Sequence, residues 1–339
     1  MKVGIPRGLL YYQYFPMWRT FFNALGAEVV VSPQTNRTLM SSGAARMVAD
    51  TCLPVKVFCG HVLDLADKCD YVFVPAIASL HRRTHNCSKF LGLPDLARAV
   101  VPEAKVLDVD INTPHGKREL YQSIYTLGRR FTWNPVKVKA AAEVAWQAHL
   151  DYQRTMAEKG LTPPNVLHGD ASATGKAEGW ATIAVIGHPY VIYDDFINLR
   201  LIGRLGEMGV KVVTPEMVPQ PELAAGVIRL LGHPYWTYED EVTGAGAYYL
   251  ETGVHGIISV TPFGCGPDSL MQDVVRRYAR APYHKPFMSL VIDEHTAEAG
   301  LVTRLEAFLD MIQRRRQLEA CPFGKLSENG VRHDFSSLR

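Results

Sequence analysis

The sequence predicts an α/β protein built from two doubly wound domains with mainly parallel sheets. Short apolar runs rich in β-branched residues alternate with longer amphipathic stretches, which is the pattern of repeated strand–helix–strand units. The chain has 339 residues, whereas one domain commonly holds about 100 to 200. Two domains are therefore expected, and an internal repeat supports that division.

Eight strands are predicted, four in each half of the chain. They are expected near residues 2–6, 28–32, 70–75 and 105–109, and near 181–187, 210–214, 255–261 and 286–292. The predicted helices include 11–25, 54–67 and 296–316. The last of these ends in Arg314-Arg315-Arg316, and a basic run suits the negative end of a helix dipole.

The two halves resemble each other. Three residues of the first half recur 183 positions later, with Gly4, Pro6 and Gly26 matched by Gly187, Pro189 and Gly209. Each triplet brackets a strand, an aromatic turn and a helix, so we expect two related Rossmann-like domains with a cleft between them. The predicted boundaries are 1–134 and 180–317, with a connecting helix and linker over 135–179 and a tail over 318–339.

Composition excludes several classes of function. Hydrophobic residues make up 47% of the chain and charged residues 21%, which fits a globular protein with a sizeable core. The net charge of +2 gives no electrostatic reason to expect a nucleic acid partner. The N-terminus lacks the apolar region of a signal peptide, and no apolar run approaches the roughly 18 residues of a membrane span. We therefore expect a cytoplasmic protein without membrane association.

Three of the six cysteines lie where open α/β sheets bind ligands, beyond the carboxyl ends of the strands. Cys265 follows the strand predicted at 255–261 and directly precedes a helix. Cys52 precedes another predicted helix, and both cysteines are followed by proline two residues later. Cys87 lies in the long polar turn after the strand at 70–75. A helix N-terminus also favours thiolate. Because Cys52 and Cys87 lie in the first predicted domain and Cys265 in the second, one ligand shared by all three would straddle the two domains.

The remaining cysteines have simpler interpretations. A free cysteine is most often a small buried apolar residue, and Cys69 and Cys321 are interpreted in that way. Cys59 lies two helical turns after Cys52, so it is either a fourth ligand or a residue that packs against the sheet. No CxxC pair occurs, and the ligand spacings of zinc ribbons and ferredoxins are absent from the sequence. Spacing alone therefore leaves both a metal site and simple packing open.

Polar residues after other strands are candidates for catalysis or substrate binding. His188 and Tyr190 follow the strand at 181–187, and Glu294 and His295 follow the strand at 286–292. Arg7 follows the first strand and is a candidate to bind a carboxylate or phosphate. A cap, a core hydrogen bond or a domain contact is the more frequent role for any one such residue, so both interpretations stay open.

Six stretches of the chain carry a resemblance to a known family: MKVGIPRGLLYYQYFP, TCLPVKVFCGHV, NCSKFLGLPD, GHPYVIYDDFIN, TPFGCGPDS and DEHTAEAGLVTRLEAF. From residue 1 to about residue 316, the chain resembles the uncharacterised domain related to 2-hydroxyacyl-CoA dehydratases and often fused with their activases. The resemblance implies an oxygen-sensitive [4Fe–4S] cluster held by three cysteines between two Rossmann-like domains. A larger double-cubane cluster occurs in some relatives.

The family's cysteines correspond to Cys52, Cys87 and Cys265. At Cys59 the family motif more often has histidine, which leaves a fourth thiolate ligand open. The resemblance further implies low-potential reduction or dehydration of a small substrate, with acyl-CoA as one option, at the iron without a cysteine. An ATP-dependent activator would supply the electrons as a separate partner, because the sequence contains no GxxxxGK[ST] motif.

Two other functions stay open at this point. One is a non-catalytic electron carrier or accessory cluster-bearing subunit of a larger reductase, which full ligation of the cluster would favour. The other is a metal-free module that binds a small molecule in the same cleft. The oligomeric state, a dimer included, is also open.

Overall fold

Each half of the chain contains a four-stranded parallel sheet flanked by helices, which confirms the predicted α/β class and the Rossmann-like architecture. The computed structural model describes residues 1–81, 83–113, 117–169 and 179–320. Met1–Thr296 form one compact unit that contains both sheets, and Ala297–Arg339 form a second unit. The predicted domain boundaries stay predictions.

The first half contains β1 (Lys2–Ile5), α1 (Tyr11–Ala24), β2 (Glu28–Val31), α2 (Arg37–Ala44), α3 (Leu53–Leu65), β3 (Tyr71–Ser79), α4 (Ser88–Leu91), α5 (Leu93–Val100), β4 (Val106–Asn112) and α6 (Lys117–Gly128). The strands lie in the order β2-β1-β3-β4, and every neighbouring pair is parallel. Each connection crosses over through one or two helices, as parallel pairing requires. The carboxyl ends of the four strands therefore meet at one edge of the sheet.

The connecting segment is largely helical, as predicted. It contains α7 (Pro135–Lys159), which ends at Gly160 in the left-handed conformation with φ 63°, and the short α8 (Pro163–His168). Glycine suits that position because a left-handed residue ends a helix and L side chains disfavour it. The part of the predicted linker at 170–178 lies outside the described residues.

The second half repeats the first. It contains β5 (Ala181–Ile186), α9 (Pro189–Ile192), α10 (Leu201–Glu207), β6 (Val210–Val213), α11 (Gln220–Leu231), α12 (Thr243–Glu251), β7 (Gly256–Pro262), α13 (Gly266–Arg280) and β8 (Phe287–Ile292). The strand order β6-β5-β7-β8 is that of the first sheet. In the second unit, α14 (Glu298–Ala320) continues four residues beyond the arginine run. The rest of the predicted tail, 321–339, lies outside the described residues.

All eight predicted strands are present, but β3 runs further than predicted. Pro75 lies inside β3 and is opposite Val109 of β4, where the prediction ended the strand. A proline has no N–H to donate to a ladder. Here β3 pairs with β1 only as far as Val72, so Pro75 has a strand on one side alone. The lack of an N–H group at Pro75 therefore does not break any hydrogen bond between β3 and β1.

Two pairs of helices cross at close range through glycines, once in each half. A methyl group on Gly43 of α2 would overlap the carbonyl oxygen of Lys56 in α3, and one on Gly60 would overlap the backbone of α2. In the second half, a methyl group on Gly226 of α11 would lie 2.5 Å from the carbonyl oxygen of Gly244 in α12. Gly226 follows Gly43 by 183 positions, which extends the sequence repeat to this crossing.

No helix in the described ranges is long and apolar enough to cross a membrane. The apolar residues instead fill the layers between sheets and helices. All seven residues of β7 are buried, which is typical of an inner strand of a parallel sheet covered on both faces.

A carboxyl group next to this core predicts how stability depends on pH. Glu216 follows β6, and its Oε1 is fully buried without a hydrogen-bond partner among the described residues, while Oε2 accepts a hydrogen bond from the hydroxyl of Tyr193. Burial raises the pKa of Glu216 to about 7 from an ordinary value of 4.5. Because the folded state keeps the proton longer than the unfolded state, this group lowers stability as pH rises from about 4.5 to about 7.

We expect Glu216→Gln to reduce the loss of stability at rising pH, because an amide carries no charge to bury. The variant should match the wild type near pH 4.5 and exceed its free energy of unfolding by up to about 3 kcal/mol above pH 7. Urea unfolding across this pH range measures the difference. Glu222→Gln, at an exposed position on α11, is the control and should leave the pH dependence unchanged. An identical pH profile for Glu216→Gln and the wild type would contradict the prediction.

Candidate functional site

One cavity is lined by residues from both halves of the chain and has an empty volume of about 520 Å³, open solvent included. All three of the cysteines singled out in the sequence contribute to its wall. The first half provides Cys52, Cys87, Lys89 and Phe90, and the second half provides His188, Tyr190, Tyr238, Cys265 and Asp268, among others. Three thiols that are far apart in sequence therefore face one space.

Each of these cysteines is the residue that caps the start of a helix. Cys52 precedes α3, Cys87 precedes the single turn α4, and Cys265 precedes α13. Pro54 and Pro267 lie in the first turns of α3 and α13, where a helix needs no N–H donor and the fixed φ of proline fits. The free N–H groups of a first turn point back past the cap, so each sulfur lies at the positive end of its helix.

Cys87 and Cys265 occupy equivalent places in the two halves. Each follows the third strand of its sheet, β3 or β7, and begins the next helix. Gly264 makes the sharper of the two connections, since its left-handed φ of 78° turns the chain from β7 into α13. Cys52 has no such counterpart, because α12, the equivalent of α3, begins at Thr243 without a cysteine before it. The first half thus contributes two sulfurs and the second half one.

The thiols of Cys52 and Cys265 have a pKa above the ordinary value of a cysteine. Burial raises the pKa of both thiols, and the charge of Asp268 raises it further. The N–H groups of Val55 and Asp268 act in the opposite direction and lower the two values, although neither forms a regular capping hydrogen bond. The helix N-termini therefore act in the predicted direction, but desolvation exceeds their effect, and the pKa of both thiols is raised.

His188 lies between two carboxylates at the floor of the cavity. Its Nδ1 is 2.6 Å from Oε2 of Glu241, and its Nε2 is 2.8 Å from Oδ1 of Asp268. Burial alone would lower the pKa of His188, but the two carboxylates outweigh burial and raise the pKa well above its ordinary value. Because carboxylates only accept hydrogen bonds, both ring nitrogens must donate, and His188 is held as an imidazolium.

Aromatic side chains complete this side of the cavity. The imidazole of His188 stacks on the ring of Tyr190 with their centroids 5.1 Å apart. Phe90, from the first half, lies 6.1 Å from the ring of Tyr190 and 6.0 Å from the ring of Tyr238. Two of the predicted candidates, His188 and Tyr190, are thus brought beside the three cysteines.

The other predicted polar candidates lie elsewhere and do not line the cavity. Glu294 forms an ion pair with Lys56 at 2.5 Å, and His295 is exposed. Arg7 lies over the ring of Tyr11 at 5.4 Å, and its Nε is buried without a hydrogen-bond partner. Their predicted roles stay predictions.

The remaining cysteines also lie away from the cavity lining, as far as the structure describes them. Cys59 is buried on α3 with its sulfur 3.6 Å from the sulfur of Met47, and burial raises its pKa to about 11. Cys69 lies before β3, where its sulfur would be 3.0 Å from a methyl group on Gly4. Cys321 lies outside the described residues.

Sequence reasoning missed Asp268 and Glu241. Asp268 had a local signal, because it stands three residues after Cys265 and an acidic residue there is common in the first turn of a helix. Glu241 had none, since its partner His188 is 53 positions away and the two meet only in the folded chain. Among the described residues, no group of three or more His, Cys, Asp or Glu side chains is arranged to hold a single metal ion.

Fold and cavity together define a two-sheet α/β protein with a cysteine-lined cleft. A family model described as the CoA enzyme activase uncharacterised domain matches residues 2–218. Because this match covers more than half of the sequence, the chain belongs to that family, and the predicted relation to activases of CoA enzymes is confirmed. Cys52 and Cys87 lie inside the matched region, and Cys265 lies beyond it. A search of curated proteins gives no match.

Proposed function

We propose that this protein binds a [4Fe–4S] cluster on Cys52, Cys87 and Cys265 and uses it for low-potential reduction or dehydration of a small substrate. One observation carries the proposal: three cysteines from separate segments line one cavity, and each begins a helix. A packing role would not require three thiols to share a cavity wall. Iron–sulfur clusters are held by cysteine thiolates, so the set of donor atoms fits this group.

A cluster does not require its ligands to converge on one point. The described residues contain no group suited to one metal ion. In a cubane each thiolate binds a different iron, so the ligands surround a core instead of meeting at one point. Burial keeps free Cys52 and Cys265 protonated near neutral pH, and metal binding would release those protons. The N–H groups at the helix starts are then positioned to donate to sulfur.

When bound, such a cluster supplies an electron at low potential and one iron position that the three cysteines leave open. Around it, the chain provides a fixed cation, because Glu241 and Asp268 hold His188 as an imidazolium. Tyr190 and Tyr238 add aromatic surface to the wall of the cavity. These residues would orient a small polar substrate next to the open position.

The family description supports the rest of the proposal. It relates this domain to activases of CoA enzymes, which supports an ATP-dependent activator as the electron donor and a CoA-linked acyl group as the substrate class. The kinship with 2-hydroxyacyl-CoA dehydratases and the need for anaerobic conditions are parts of the same proposal.

The test is anaerobic reconstitution of the full chain with iron and sulfide, followed by quantification of both and a visible absorption spectrum. We expect about four irons and four sulfides per wild-type chain. Cys52→Ser, Cys87→Ser and Cys265→Ser should each lose most of the iron, because two thiolates do not retain a cubane. Cys69→Ser is the matched control and should retain it. Equal iron in all four variants would overturn the assignment.

An electron carrier without substrate chemistry is the second candidate function. The buried carboxylate of Asp268 at the cavity favours it if that carboxylate stays bound throughout, because a cluster whose four protein ligands are never displaced has no open iron. EPR spectra of the reduced protein, recorded with and without a small acyl-CoA, separate the two functions. A spectrum that changes on addition supports substrate binding, and an unchanged spectrum supports the carrier.

A further inference from the structure

We propose that Asp268 is the fourth protein ligand of this cluster and binds, through Oδ2, the iron that the three cysteines leave open. The inference rests on the proposed function, because it requires the cluster. It concerns a residue that the sequence did not single out and that stands beside the cysteines only in the folded protein.

The position of Asp268 is set by the same helix that presents Cys265. It is the third residue of α13, which begins directly after that cysteine. Asp268 lines the cavity together with all three cysteines and is only 1% exposed. Its charge acts on the thiols of both Cys52 and Cys265, which places the carboxylate near sulfurs from both halves of the chain.

The two oxygens of this carboxylate have different surroundings. Oδ1 accepts a hydrogen bond from Nε2 of His188, and Glu241 in turn fixes the imidazole from its other side. Oδ2 is fully buried and has no regular hydrogen-bond partner in the described part of the chain. Burying a polar atom without a partner is unfavourable, so a carboxylate oxygen held in this state calls for a partner.

The neighbouring groups do not satisfy this oxygen when a metal is bound. The thiol of Cys265 interacts with the carboxylate, but a thiol is a weak donor and gives up its proton when it binds metal. Oδ2 of Asp268 is then free to donate a lone pair to iron. The clamp by His188 holds the carboxylate in one orientation, as is common for carboxylates that bind metals.

The other groups considered for this place are already engaged. Both nitrogens of His188 are used in hydrogen bonds to carboxylates. Cys59 is buried against Met47 and does not line the cavity. Asp268 is therefore a better fourth ligand than Cys59, the candidate that the sequence offered.

A carboxylate ligand also has a chemical consequence. Oxygen is a harder and weaker ligand than thiolate for iron in a cluster, so the iron held by Asp268 is the one that a small donor can reach by displacing it. Asp268 would then occupy the fourth iron when no substrate is present and give up that position when a substrate binds.

The test uses pulsed EPR of the reduced, reconstituted full chain, made with aspartate carrying ¹³C in the side-chain carboxyl group. We expect a ¹³C hyperfine coupling to the cluster in the wild type and its loss in Asp268→Asn. Asp273→Asn, at a partly exposed carboxylate on the same helix, is the control and should keep the coupling. Asp268→Cys provides a second variant that can complete the cluster with a thiolate, and it should retain about four irons without the coupling.

The outcomes separate the two proposals. A wild-type cluster without ¹³C coupling, or a coupling that persists in Asp268→Asn, overturns the role of Asp268 and leaves the proposed function standing. A wild-type protein that takes up no cluster overturns the proposed function and this inference with it. Circular dichroism of each variant establishes that lost coupling does not come from unfolding.

Discussion

Gly43→Ala is expected to lower the free energy of unfolding by at least about 3 kcal/mol, because the added methyl group would overlap backbone. Its nearest neighbours are the carbonyl oxygen of Lys56 and the amide nitrogen of Gly60, the latter at 2.6 Å. Neither can rotate away as a side chain could, so α2 and α3 must separate. Since α3 begins directly after Cys52, the variant should also retain less of the proposed cluster. Urea unfolding followed by circular dichroism measures the first effect.

Gly206→Ala is the matched control for this substitution. Gly206 lies in α10, and a methyl group there would meet no atom within 4 Å. Alanine is the better helix former, so this variant should gain about 0.5–1 kcal/mol. If Gly43→Ala proved as stable as the wild type, the close crossing of α2 and α3 would not exist as described.

Glu294→Ala is expected to lower the free energy of unfolding by about 3 kcal/mol, because it leaves a buried ammonium without its partner. Lys56 is 3% exposed, and its Nζ lies 2.5 Å from Oε1 of Glu294 and 2.8 Å from the carbonyl oxygen of Ala49. Lys56→Met should have an effect within about 1 kcal/mol, since methionine fills similar space and Glu294, 23% exposed, can still reach water. Urea unfolding at pH 7 measures both.

The difference between wild type and Glu294→Ala should shrink in acid. Burial tends to raise the pKa of Glu294, but the hydrogen bond from Lys56 outweighs it and lowers the pKa below the ordinary 4.5. A carboxyl group with a lowered pKa stabilises the folded state above its ordinary value, and that contribution is lost as pH falls through the lowered one. Equal losses for Glu294→Ala and Lys56→Met at pH 7 would contradict this account.

The fold was largely predictable from sequence because hydrophobic periodicity and turn residues agree with each other. Gly26 and Gly209 end equivalent helices, and the apolar runs after them form β2 and β6 as predicted. The prediction ended β3 at Pro75, whereas the strand continues to Ser79. Whether proline is tolerated depends on which neighbours a strand has, and this is a tertiary property.

The candidate site was predictable to a lesser degree. Cys87 and Cys265 could be identified by their position after strands, which depends only on chain order. Burial of a thiol depends on the packed cavity, so the direction of the pKa shifts at Cys52 and Cys265 could not be read from the helix starts. Asp268, His188 and Glu241 come from three separate segments of the chain, so the hydrogen bonds that join them could not be predicted from local sequence.

The three cavity cysteines are divided unequally between the two halves, so the cavity is not symmetric although the fold repeats. Two identical halves facing each other would present thiols in even numbers, and anything held between them would have equivalent sides. Because Cys52 adds a third sulfur on one side only, the two sides of the space differ although the two sheets share one strand order. An unsymmetrical molecule would therefore meet different groups in each of its two orientations.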